Sequence, residues 1–131
     1  MKNNTKRKVT DGGAKTWYFP DGYLPEKTNK GTMEAHEALM LFNASAKDAD
    51  VLIDVYFSDR DPVKDIPVKV GAERVIALRL DHPEDLTGLK IPPLTQYALR
   101  VRSSISIVVQ FGRLDTTQEN MAYYCGIGYC E

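Results

Sequence analysis

The sequence predicts an all-β fold, an antiparallel sandwich of about seven to eight short strands, and three observations carry that prediction. Short runs alternate apolar with polar residues at a period of two, as in Val51–Ser58 and Gln96–Arg102. Clusters of Pro, Gly, Asp and Asn separate these runs at the close spacing of a meander. No segment holds a helical stripe long enough to compete. At 131 residues the chain is one domain by size, able to bury roughly two thirds of its unfolded surface.

In chain order, Met1–Lys15 reads as a flexible arm with Lys2, Lys6, Arg7 and Lys8 as its basic part, and residues 16–124 form the sandwich. Trp17-Tyr18-Phe19 makes a short aromatic strand that Pro20-Asp21-Gly22 stops with a turn. Tyr23 to Gly31 reads as a loop. Glu34–Asn43 fits both a helical stripe and a doubly buried strand, and its ten residues between turn signals decide for strand. Val51, Ile53, Val55 and Phe57 share one face of the next strand. Ile66–Val70 follows, with Pro67 marking an edge, and Gly71 is expected to turn a tight hairpin into Arg74–Leu80.

Asp81–Thr95, rich in Pro and Gly, is the longest irregular connection, of a length that crosses between sheets or builds a binding rim. Gln96–Arg102 then points Tyr97, Leu99 and Val101 inward, and Ser103-Ser104 leads into a last strand, Ile105–Phe111. Residues 125–131 are read as a C-terminal tail. Leu52, Tyr56, Val75, Ala77, Val108 and Leu114 are apolar residues opposite the core stripe. Neighbouring residues of that kind form a patch and predict a homo-oligomer built by packing sheets.

Composition excludes several classes. Seventeen basic against eighteen acidic residues give a formal charge of −1, which argues against a dedicated nucleic-acid binder. There is no apolar leader and no apolar run near the ~20 residues of a membrane helix, so the cytoplasm is the expected compartment. Cys125 and Cys130 are read as free thiols, since no further Cys or His pair completes a zinc shell. His36 and His82 stand alone. No phosphate loop, metal-spaced cluster or nucleophile elbow is visible, so the expectation is a protein without cofactor, metal or catalytic residues.

The chemistry concentrates around and after Phe111, where Gln110, Arg113, Asp115, Thr116, Gln118 and Asn120 crowd together. Continued alternation would aim Arg113 and Asp115 into the core, where an unpaired charge is prohibitive. Either the strand ends at the rim at Gly112, or Gly112 forms a bulge that turns both towards Gln110. The trio could then grip hydroxyl groups through forked donors and acceptors. A plainer alternative remains: Arg113 and Asp115 simply pair, and Asp115-Thr116-Thr117 closes an Asx turn. Trp17 and Tyr23 are either core aromatics or the walls of a sugar-stacking platform.

The chain also resembles the sensory rhodopsin transducer family of small bacterial proteins, over about Trp17 to Asn120. The resemblance rests on Trp17, Gly22-Tyr23-x-Pro25, Leu41-Phe42-Asn43, Val55-Tyr56-Phe57-Ser58-Asp59 with Pro62-Val63, Ala72-x-Arg74 and Val101-x-Ser103. Its firmest part is Ile107-Val108-Val109-Gln110 followed by Arg113-Leu114-Asp115-x-x-Gln118. Ser106 departs from the pattern, standing where proline is expected. The resemblance implies a β-sandwich that assembles as a homotetramer. It further implies a non-enzymatic regulatory module that binds a small, carbohydrate-type ligand, with Asn43, Gln110, Arg113, Asp115 and Gln118 at the site. A membrane receptor or regulator protein is the implied partner. The alternative is a protein–protein adaptor in which the polar cluster braces the tetramer.

Overall fold

The computed structural model describes residues 12–28 and 31–131. Its strands are β1 (Ala14–Tyr23), β2 (His36–Asn43), β3 (Ala49–Phe57), β4 (Val63–Val70), β5 (Arg74–Arg79), β6 (Gln96–Asp115), β7 (Ala122–Ile127) and β8 (Tyr129–Cys130). All pairings are antiparallel. The first sheet runs β4-β3-β6-β1-β8 and the second runs β5-β2-β6-β7. The sandwich expected from alternation is present, and Glu34–Asn43 resolves as strand β2.

The 20-residue β6 belongs to both sheets. Its first half pairs with β1 and β3, and its second half, from Val108, pairs with β2 and β7. The two strands expected at Gln96–Arg102 and Ile105–Phe111 are therefore one. The Ser103-Ser104 interval keeps extended geometry because Val51 opposes Ser103 and the Ser104 hydroxyl accepts the Asp50 amide. Parity holds along the whole strand. Tyr97, Leu99, Val101, Ile107, Val109 and Phe111 are all buried, and they meet Leu39 and Leu41 of β2 and Val51, Ile53 and Val55 of β3 in one core.

Three local expectations change. Pro20-Asp21-Gly22 is a bulge inside β1, since the register with β6 shifts between Phe19 and Gly22 and pairing resumes at Gly22 and Tyr23. Gly71 does not turn a hairpin: β4 pairs with β3 and β5 with β2, so Gly71–Glu73 carries the chain from one sheet to the other. Gly112 is not a bulge either, because Glu37↔Arg113 and Ala38↔Gly112 keep unbroken register on one side and Gly112↔Cys125 on the other.

The Asp81–Thr95 connection carries a 3-10 turn at Pro83–Leu86 and returns the chain from β5 to β6. At the C-terminal end, the stretch read as a tail lies in β7 and β8, and Glu131 exchanges two backbone hydrogen bonds with Thr16. Of the basic arm, residues 1–11 lie outside the described residues, and Ala14 already belongs to β1.

Candidate functional site

Because β6 does not bulge at Gly112, Arg113 keeps the inward parity that makes a lone charge prohibitive. The structure answers with a second buried charge. Glu37 sits directly opposite on β2 with no exposed surface. Its Oε2 accepts from Arg113 Nε at 2.8 Å and from the Tyr23 amide at 3.2 Å, while Oε1 accepts from the Tyr97 hydroxyl at 2.7 Å. Every lone-pair direction of a buried carboxylate needs such a donor. Burial pushes the Tyr97 phenol well above its ordinary pKa, and the Glu37 carboxylate adds to the effect. Tyr97 therefore stays a neutral donor.

Arg113 is 21% exposed, its Nη2 donates to the Asp21 carbonyl at 2.9 Å, and its guanidinium lies 6.0 Å from the Tyr124 ring centre. The bulge in β1 matters here, because it is what brings the Asp21 carbonyl and the Tyr23 amide towards the ion pair. Gly22 is required at that point. A Cβ there would lie 2.4 Å from the Tyr97 ring.

Above this base is a shallow cleft of about 150 Å³ lined by Tyr23, Pro25, Leu94, Arg113, Asp115 and Thr117. Asp115 accepts from the Thr117 amide at 2.8 Å and hydroxyl at 2.6 Å, and those bonds hold its carboxyl below the usual range. The Asx turn read from Asp115-Thr116-Thr117 is thus formed, while Arg113 pairs with Glu37 rather than with Asp115.

The structure gathers only part of the predicted set. Tyr23, Arg113 and Asp115 share the cleft. Trp17 is 4% exposed, and its ring N–H donates to the carbonyls of Ala14 and Ile107, which places it in the core. Asn43 is fully buried and ties a loop together, donating to the carbonyls of Lys47, Val70 and Gly71. Gln110 has the opposite parity to Arg113 and points out of the second sheet between Met40 and Ile127. Gln118 lines a neighbouring depression with Thr116, Met33 and Met121. Reading the sequence missed Glu37 and Tyr97. An acid at an inward position of a buried strand was the available signal for Glu37.

Two further features bear on function. The outer face of the second sheet carries the cross-strand rows Val75-Phe42-Val108 and Ala77-Met40-Gln110-Ile127. Val75, Phe42 and Ile127 are exposed on it, as is Tyr123. Leu114, also expected on this face, is buried at 7% exposure. On the other side of Pro25 lies a cleft of about 770 Å³ between Leu24–Lys27 and the Asp81–Pro93 connection. Asp81, 2% exposed, forms its polar floor, bound by Arg79 at 2.7 Å and Lys27 at 3.1 Å. Burial pushes its carboxyl up, but the hydrogen bonds from Arg79 and Lys27 outweigh this and hold it at about 2.

Glu34, Asp81 and His82 lie close enough together to hold a metal ion. Lys27 and Arg79 already neutralise the two carboxylates of that group, so a cation would have to displace them.

The fold is thus an antiparallel sandwich whose rim gathers Tyr23, Arg113 and Asp115 around a shallow cleft. The family described as Anabaena sensory rhodopsin transducer matches residues 12–130, and the chain belongs to that family. Among solved structures it is similar to the Anabaena sensory rhodopsin transducer, at 34% identity and a TM-score of 0.69, covering 84% of this chain and 96% of that one. It is also similar to the crystal structure of Thermotoga maritima 1070, at 32% identity and a TM-score of 0.80, covering 92% of this chain and 97% of that one. No match is found among the curated proteins. No helix of the described residues is long and apolar enough to cross a membrane.

Proposed function

We propose that this protein is a non-enzymatic regulatory module that binds a small carbohydrate-type ligand in the cleft over Arg113 and works as a homotetramer. The observation that carries the reading is the Arg113 guanidinium, fixed from below by buried Glu37 yet open to the cleft above. Its orientation is set before any ligand arrives, which lowers the ordering cost of binding. Tyr23, 40% exposed, supplies an aromatic face, and Asp115 supplies acceptors for hydroxyl groups. The family supports a signalling role with a receptor or regulator protein as partner. The uncharged rows of the second sheet support self-association, because an exposed apolar patch of that breadth marks an interface.

A thermal-shift panel of neutral and acidic sugars tests the ligand reading, since binding to the folded state raises the melting temperature. Arg113→Ala is a poor control because it strands Glu37. Arg113→Lys keeps a cation beside Glu37 but loses the planar fork. The expected result is a shift in the wild type that Arg113→Lys removes while the unliganded melting temperature stays close to wild type. A folded wild-type sample with no shift across the panel would refute the reading.

The adaptor reading is favoured by one specific observation, the apolar outer face of the second sheet. It predicts that a receptor fragment competes with self-association and that sugars have no effect.

A further inference from the structure

The larger cleft beside Asp81 is not used by the reading above, yet it adjoins the Arg113 cleft. Pro25 and Glu26 line both, and Leu94 and Pro93 stand next to each other on the two opposite walls. The two hollows are therefore neighbours across a single ridge. Leu24, Pro25, Ile91 and Pro93 give the larger one apolar walls.

Its charged groups divide clearly. Asp81 is saturated, with Arg79 forked onto it at 2.7 and 2.8 Å and Lys27 at 3.1 Å, so it offers little to a cation. Lys90 lines the same cleft, is exposed, and forms no ion pair among the described residues. The available charge on the side of the cleft away from the ridge is thus positive. On the ridge itself Glu26 is negative, which disfavours placing a second acidic group there.

We infer that this cleft is a second subsite that takes a carboxylate-bearing sugar unit through Lys90, so that the ligand is an acidic oligosaccharide spanning both hollows rather than a single sugar. The inference rests on the Arg113 reading and deepens it. An extended peptide fits less well, because the lining residues come from the Tyr23–Lys27 segment and the Asp81–Thr95 connection. Among the described residues these are loop positions apart from Tyr23 at the end of β1, which leaves no length of strand along them for β-addition.

Calorimetric titration with trigalacturonate, its fully methyl-esterified form, monomeric galacturonate and a triglutamate peptide tests it. Trigalacturonate should bind more tightly than the ester by up to about fivefold, the upper range of an exposed ion pair. That gap should close at about 0.5 M salt. Lys90→Gln should narrow the gap between acid and ester. Equal binding of acid and ester, monomer binding as tight as trimer, or triglutamate binding as tight as trigalacturonate would each overturn the subsite while leaving the Arg113 cleft standing. Failure of every sugar to bind the wild type would remove the Arg113 reading itself, and the subsite with it.

Discussion

Replacing Glu37 by Gln keeps the shape of the buried side chain and removes its charge, which isolates the value of the ion pair. If the amide oxygen stays towards Arg113 and the Tyr23 amide, both of those bonds survive. The amide nitrogen then faces the Tyr97 hydroxyl, which must turn to accept and so loses the acceptor it had at 2.7 Å. A buried hydroxyl donor without a partner costs about 1–3 kcal/mol. Loss of charge assistance at Arg113 adds less than the ~3–5 kcal/mol of a broken fully buried pair, because that guanidinium is 21% exposed and water can reach it.

The sum is about 2–3 kcal/mol. At roughly 3–5 °C per kcal/mol for a chain of this size, the melting temperature should fall by about 6–15 °C. Urea unfolding at fixed protein concentration measures the same quantity. Made in a Tyr97→Phe background, Glu37→Gln has no hydroxyl left to strand, and its cost should drop by about 1 kcal/mol. A cost below about 0.5 kcal/mol, or an equal cost in both backgrounds, would refute the account of Glu37 as the anchor of the rim.

Three other outcomes follow from the same geometry. Asp81 holds a carboxyl at about 2, against about 3.9 in the unfolded chain. Its folded pKa is depressed, so its stabilisation of about 2 kcal/mol is fully present above pH ~4 and is lost as pH falls towards 2. The stability gap between wild type and Asp81→Asn, measured by urea unfolding, should therefore shrink between those values. A gap that stays constant over that range would show that the ion pairs do not set it. Gly22→Ala drives a methyl group into the Tyr97 ring and should cost about 1–3 kcal/mol. Gly112→Ala meets only the tip of exposed Tyr123 and should cost under ~1 kcal/mol. Phe42→Arg, placed in the exposed apolar rows, should lower the mass seen by light scattering while leaving the circular dichroism unchanged; an unaltered mass would move the interface elsewhere.

The alternation that predicted the sandwich was legible because the central strands bury one face, and parity at Val51–Val55 and along Tyr97–Phe111 is fixed by that burial. Gly71 and the Pro20-Asp21-Gly22 run misled for a common reason. Turn chemistry says that the chain bends, but whether the bend closes a hairpin, crosses between sheets or bulges a strand depends on partners distant in sequence. Arg113 was legible as a residue needing an explanation. Its explanation, Glu37, lies 76 residues earlier in a strand whose next inward residues, Leu39 and Leu41, are apolar. Gln110 was grouped with Arg113 on proximity in sequence, while the uninterrupted register of β6 puts the two on opposite faces.

The sharing of β6 between two sheets also bears on how the chain reaches its fold. Before Gln96 is available, the strands can form only the β3–β4 hairpin and the longer-range β2–β5 pairing, because every other ladder except the short β1–β8 edge uses β6. Each of the pairings that β6 makes with β1, β2 and β3 closes a long loop of chain, which slows folding. Completion of both sheets therefore waits on β6. An opening that frees β6 from one sheet removes the central strand of the other, so slow amide exchange should be concentrated along Tyr97–Phe111 and lost there all at once.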